Sequence, residues 1–240
     1  MKIVSKFKLR NVFLCITALV LMFFLFNITT VNSSFGEGFS CEEVTKEFEN
    51  KMNQNETFRN NEHIRCSDLK IVKFKRFGYD GETHYGEIVV NAEIAEEVLE
   101  ILSELYEAKY YIDTISCFEF RNIADTDVLS QHAFGKAIDI NDFQNPCFII
   151  DEKTGKVIKT IPANLERYSD RNLGEVGIIK PHDACYDAFK KRDWEWGGEW
   201  THPIDYMHFQ KHAWNAPKPE PKYKKTTGGQ DSKINEQKPN

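Results

Sequence analysis

Apolar residues at positions 94, 95, 98, 99, 102, 105 and 106 recur at the spacing of one helical face, while Glu93, Glu96, Glu97, Glu100 and Glu104 fall on the other. The pattern predicts a helix over about 92–108, with Asn91 as its cap. Cys41, Val44, Phe48 and Met52 repeat at the same spacing. Ser40 followed by Glu43 has the form of a capping box, which predicts a shorter amphipathic helix over 41–52. Polar residues dominate 53–63, which reads as loop. Residues 69–77 and 87–90 alternate with a period near two and read as strands around a turn-rich stretch, 78–86. Residues 112–120, 137–141 and 206–211 read as further strands, and 183–191 as a short helix. Strands, a long helix and then more strands point to one α+β domain over about 66–212.

The two ends have a different character. Lys2, Lys6, Lys8 and Arg10 precede an apolar run, 12–28, broken only by Thr17 and Asn27. A basic start followed by such a run is the pattern of an export signal. Val31 and Ser33 suit cleavage after Ser33, so 1–33 is expected to be a signal peptide or, uncleaved, a membrane anchor. Either way, the remainder is expected outside the cytoplasm, secreted or anchored at the membrane facing outward. Residues 34–65 then form an amphipathic extension. After Trp214 the chain is Pro, Lys, Gly, Gln and Asn with little that is apolar, and 213–240 is expected to be a disordered tail.

Composition narrows the partners. With 31 Lys+Arg against 37 Asp+Glu, the net charge of -6 argues against wrapping of nucleic acid. Five cysteines follow the apolar run and no pair has C-x-x-C spacing, which excludes a cysteine zinc ribbon. Cys41 and Cys66 flank a polar stretch and are open to two readings, a disulfide or small buried side chains.

Two segments carry candidate chemistry: Ser-Gln-His-Ala-Phe-Gly-Lys-Ala-Ile-Asp-Ile-Asn over 130–141, and Trp-Glu-Trp-Gly-Gly-Glu-Trp over 194–200 followed by Asp-Tyr-Met-His-Phe-Gln over 205–210. In a strand, Ile138 and Ile140 share one face and Asp139 takes the other. Met207 and Phe209 likewise oppose Tyr206, His208 and Gln210. An aspartate between two strand isoleucines is costly unless it is paired or bound to a cation. His132 precedes it by seven residues, with Gly135 between them to permit a tight bend. Two imidazoles, one carboxylate and an open fourth position make a catalytic zinc site. Taken singly, each residue has an ordinary structural reading as a satisfied polar side chain.

The order Ser-x-His-x2-Gly-x-Ala-x-Asp, then Trp-Gly-Gly-acidic-Trp and Asp-x2-His-Phe, resembles the zinc D-Ala-D-Ala carboxypeptidase family of VanY type. That family also contains D-Ala-D-Ala dipeptidases and L-alanyl-D-glutamate endopeptidases. The resemblance takes in Gly78-Tyr79-Asp80-Gly81, the helix that follows and Asn145-Pro146, and spans about 75–212. It implies an α+β domain in which a small antiparallel sheet, packed against helices, carries the zinc. It implies Zn2+ held by His132, Asp139 and His208, Asp205 as the acidic catalytic residue, Arg121 on the substrate carbonyl, and Ser130 as a substrate or supporting hydrogen bonder. Asp205 lies three residues before His208, so the two share a cleft only if the chain bends at 205 or 206, which Pro203 favours. Glu199 is the next candidate for the base.

The resemblance thus implies an exported zinc metallopeptidase acting on peptidoglycan stem peptides, as a carboxypeptidase or an L-Ala-D-Glu endopeptidase. The chain is expected to be monomeric, to bind no nucleic acid, and to meet the membrane only through its N-terminal segment. The alternative is a zinc-containing domain that has lost catalysis and binds cell-wall peptide or a protein partner.

Overall fold

A computed structural model describes residues 36–211, apart from 59, 60 and 125. The expected export segment and tail lie outside the described residues. Among the described residues, no helix is long and apolar enough to cross a membrane.

The fold is α+β, as expected, and is built on three small antiparallel sheets. The first sheet has the order β1 (Ser40–Glu43), β2 (Leu69–Phe77), β3 (Thr83–Asn91). Strands β2 and β3 pair without a break from Leu69↔Asn91 to Phe77↔Thr83. Leu69, Ile71, Val72 and Phe74 of β2 are buried. Leu69 and Ile71 face one side of β2 and Val72 and Phe74 the other, and the strand packs against the long helix, which contributes Ala95, Val98, Leu99, Ile101, Leu102 and Leu105 to the core. Each fully buried aliphatic side chain of this kind contributes roughly 1.5–3 kcal/mol relative to leaving it in water.

The N-terminal helix, α1 (Lys46–Gln54), starts five residues later than its pattern predicted. Its cap is Thr45, whose Oγ1 accepts from Phe48 N at 3.2 Å. Ser40 and Glu43 instead lie in β1, which pairs with β2, and the Ser40 hydroxyl donates to the Glu42 carboxylate. Met52 of α1 packs with Phe58, Ile64 and Leu69, so the segment read as an extension contributes both a strand and part of a core. The long helix, α2 (Ala95–Glu107), has Ile94 rather than Asn91 as its cap residue, with no side-chain cap bond. Its acidic face is used as well as solvated. Glu97 accepts from Trp194 Nε1 at 2.7 Å and pairs with Lys211, while Glu100 and Glu104 grip Arg192. These bonds lock α2 to the chain that leads into the last strands.

Of 112–120, only β4 (Ile115–Ser116) is a strand. The backbone N–H groups that follow go to three different partners: Phe118 to Val89 O, Glu119 to His132 O and Phe120 to Thr57 O. A chain shared out in this way makes no ladder. The second sheet has the order β4, β5 (Ala137–Ile140), β10 (His208–Gln210), β8 (Glu195–Trp196). The third has the order β7 (Val157–Ile161), β6 (Cys147–Ile150), β9 (Ile204–Asp205), and none of its strands was predicted. The short helix α3 (Ala184–Lys190) starts on the Asp183 cap. All five cysteines after the apolar run are free, and Cys41 Sγ donates to Ala95 O at 3.5 Å, so the Cys41–Cys66 disulfide is not formed.

Candidate metal centre

The register of the second sheet sets the site. Strands β5 and β10 pair antiparallel with His208 directly opposite Asp139. Ile138, Ile140 and Phe209 fill the core face at 0% exposure, which leaves Asp139 and His208 on the other. His132 arrives from a 3-10 turn, Gln131–Phe134, that ends on Gly135 in the left-handed region (φ +64). A Cβ at Gly135 would stand 2.6 Å from Asn91 N, so glycine is required both for the φ and for the close approach to β3. Asn91 in turn anchors the turn, its N bonding Gly135 O and its Nδ2 bonding Phe134 O. Ser130 is the N-cap of the turn. It is buried and its Oγ accepts from His132 N at 3.3 Å, so it holds the backbone that carries the imidazole.

The ligand atoms of His132, Asp139 and His208 all lie within 4.8 Å of one another. His132 Nε2 stands 3.2 Å from His208 Nδ1 and 3.2 Å from Asp139 Oδ2, and His208 Nδ1 stands 2.9 Å from Asp139 Oδ1. Donor atoms of a tetrahedral zinc stand about 3.3 Å apart. The hydrogen bonds behind the cluster fix which nitrogens face it. His132 Nδ1 lies 2.5 Å from Cys117 O, which can only accept, so Nδ1 carries the proton and Nε2 presents a lone pair. His208 Nε2 lies 3.0 Å from Gln210 Oε1, which leaves its Nδ1 lone pair toward the cluster. Two lone pairs and a carboxylate thus converge on one place with no donor among them. That set fits a divalent cation and, without one, must take up a proton.

The electrostatics agree. Burial opposes charge on His208, but the Asp139 hydrogen bond and the charges of Asp139 and Asp205 outweigh it and push its pKa up to about 9. Burial also opposes charge on Asp139, yet its hydrogen bonds to His132 and His208 hold it well below the ordinary carboxylate range.

Asp205 comes from the third sheet and interacts electrostatically with His208, Asp139 and His132. Strand β9 ends at Asp205 and β10 begins at His208, and the two strands belong to different sheets, so the chain bends through Tyr206 and Met207 as the spacing required. Asp205 Oδ1 is buried with no hydrogen-bond partner. Burial pushes its pKa up to about 6; His208 and His132 pull it down, while Asp139 adds to the rise. Cys147 is its register partner on β6. Gly197 lies against its backbone, where a Cβ would stand 2.5 Å from Asp205 O.

Arg121 is placed differently. Its backbone O accepts from Ser130 N, beside the His132 turn, but its guanidinium is exposed and bonds Glu119 at 2.8 Å rather than any residue of the cluster. Glu199 is buried and fully engaged: Tyr186 Oη donates to one oxygen at 2.6 Å and Lys190 Nζ to the other at 2.7 Å. It serves the core and is not available as a base. Trp194 and Trp196 are buried in the core, while Trp200 packs on the His208 ring at 5.3 Å between centroids. The supporting roles of the Cys117 carbonyl, Gln210 and Glu195 were not read from sequence. Only Gln210 had a visible signal, its strand parity with His208.

Residues 124–211 match the model of a family described as D-alanyl-D-alanine carboxypeptidase. The matched stretch contains Ser130, His132, Asp139, Asp205 and His208, and begins after Arg121. No curated protein and no solved structure matches the chain.

Proposed function

We propose that this chain, whose residues 124–211 match the model of a family described as D-alanyl-D-alanine carboxypeptidase, is an exported zinc-dependent peptidase that hydrolyses peptidoglycan stem peptides. One observation carries the reading: the ligand atoms of two histidines and an aspartate converge within 4.8 Å of one another. His132 Nε2, Asp139 and His208 Nδ1 would hold the ion. Zinc supplies polarisation of the scissile carbonyl and acidification of a water.

The rest of the reaction falls to side chains. Asp205, whose Oδ1 is buried without a hydrogen-bond partner, accepts a proton from the attacking water as the water oxygen bonds the carbonyl carbon. As the C–N bond breaks, Asp205 returns that proton to the leaving amine nitrogen. A carboxylate raised toward neutrality suits both halves of this transfer. Ser130 holds the backbone of His132, and the Cys117 carbonyl keeps its ring from turning. Arg121 is proposed to steady the developing oxyanion. It must first release Glu119, and an exposed pair of that kind costs only about 0–1 kcal/mol to break. The basic start and apolar run of 1–33 support export, and the proposed substrate lies outside the membrane.

Mass spectrometry of purified muropeptides incubated with the zinc-loaded protein tests the proposal. Loss of a terminal D-alanine identifies a carboxypeptidase, and cleavage between L-alanine and D-glutamate an endopeptidase. Intact muropeptides would overturn it and favour a binding domain without catalysis.

A further inference from the structure

Behind His208, on the side away from the cluster, three side chains form a directed chain of hydrogen bonds. Glu195 on β8 and Gln210 on β10 are cross-strand partners, and His208 lies two residues before Gln210 on the same face of β10. Glu195 is buried; its Oε1 accepts from Trp200 Nε1 and its Oε2 accepts from Gln210 Nε2 at 3.0 Å. An ionised carboxylate can only accept, so Gln210 must turn its NH2 toward Glu195 and its Oε1 toward His208. That oxygen in turn can only accept, so His208 Nε2 must carry the ring proton, at 3.0 Å.

We infer that Glu195 and Gln210 are positioning residues that set the tautomer of His208, forcing it to meet the metal through Nδ1. The inference rests on the reading of the cluster as a zinc site. It explains why a buried acid is kept beside a metal centre without touching it. The negative charge of Glu195, passed through one amide, makes His208 Nδ1 a stronger donor and keeps the ring from flipping. The arrangement differs from that at His132, where a fixed backbone carbonyl does the same work. One imidazole is held by a backbone group that no side-chain substitution removes, and the other by a replaceable pair.

The pair has a diagnostic inverse. In the double variant Glu195→Gln/Gln210→Glu, the new amide accepts from Trp200 Nε1 and donates to the new carboxylate, which accepts from His208 Nε2. Every bond is kept with the polarity of the pair exchanged. Zinc affinity is read by competition with a chromophoric chelator on the full chain. Gln210→Leu and Glu195→Gln should each bind zinc about 10- to 100-fold more weakly than the parent. The double variant should recover most of that loss. Single variants that bind as tightly as the parent, or a double variant no tighter than the singles, would overturn the inference. Long-range 1H–15N correlation on the zinc-loaded parent provides a readout that needs no variant. The proton is expected on Nε2 of His208 and on Nδ1 of His132, and a proton on His208 Nδ1 would overturn the inference. A parent that binds no zinc at all would instead remove the metal reading itself.

Discussion

Replacing Asp205 by asparagine separates catalysis from metal binding and carries an unusual signature in stability. The substitution preserves shape and removes one charge. Asp205 is not one of the three converging ligands, so zinc affinity should change little. The amide cannot take the proton of the attacking water, and kcat on a peptide substrate should fall on the order of 100- to 10,000-fold. The buried position adds a second effect. Burial raises the Asp205 pKa from 3.8 to about 6, so the folded metal-free protein binds this proton more tightly than the unfolded chain does. Its contribution to stability is therefore present below pH 3.8 and lost as pH rises through 6. At about 1.36 kcal/mol per pH unit, the ionised carboxylate costs the metal-free fold at most about 3 kcal/mol at pH 7. Asp205→Asn should thus raise the melting temperature of the metal-free protein at pH 7 and leave it unchanged near pH 3.5. Chelator competition, steady-state kinetics and thermal melts at the two pH values make the assay. An asparagine variant with parental kcat would refute the assignment of the base. One with parental zinc affinity but a lowered melting temperature at pH 7 would refute the reasoning about burial.

Three further outcomes are expected. His208→Ala removes a ligand and should cost more zinc affinity than the roughly 10- to 100-fold typical of a lost supporting bond, as read by the same competition. In the metal-free protein the raised His208 pKa contributes stability that is complete below 6.5 and lost as pH rises through about 9, so its melting temperature should fall over that range while the zinc-loaded protein, with no proton on Nδ1 to lose, shows no such step. Glu199→Gln should cost the fold about 2 kcal/mol, because it weakens charge-assisted bonds to Tyr186 and Lys190, yet leave kcat of the folded enzyme near that of the parent; a loss of kcat with unchanged stability would return Glu199 to the reacting groups.

Two members of the candidate metal cluster, Asp139 and His208, were legible because they lie on strands, where a period of two fixes the facing of each side chain. Asp139 between two isoleucines, and His208 between Met207 and Phe209, could only face away from the core. The pairing of His208 with Asp139 then follows from one antiparallel register. The bend that admits Asp205 was legible from the same parity. Strand β2 was read to the residue because apolar and basic side chains interleave along it with a period near two. Elements held by tertiary contacts were not legible. Residues 112–120 have strand composition, but their N–H groups are divided among Val89, His132 and Thr57. Strand β7 exposes most of its side chains, so no pattern marks it. The N-terminal helix was misplaced because Ser40-x-x-Glu43 and Thr45 compete as caps, and pairing of 40–43 with β2 decides between them. Glu195 could not be placed, since its role depends on a cross-strand partner fifteen residues away.

Elemental analysis of the chain beyond Ser33, purified without added metal, tests the zinc centre most directly. About one zinc per chain is expected, removable by chelator and restored by titration with a single equivalent. A protein that carries no metal and takes up none on titration would contradict it, and with it the roles given to His132, Asp139 and His208.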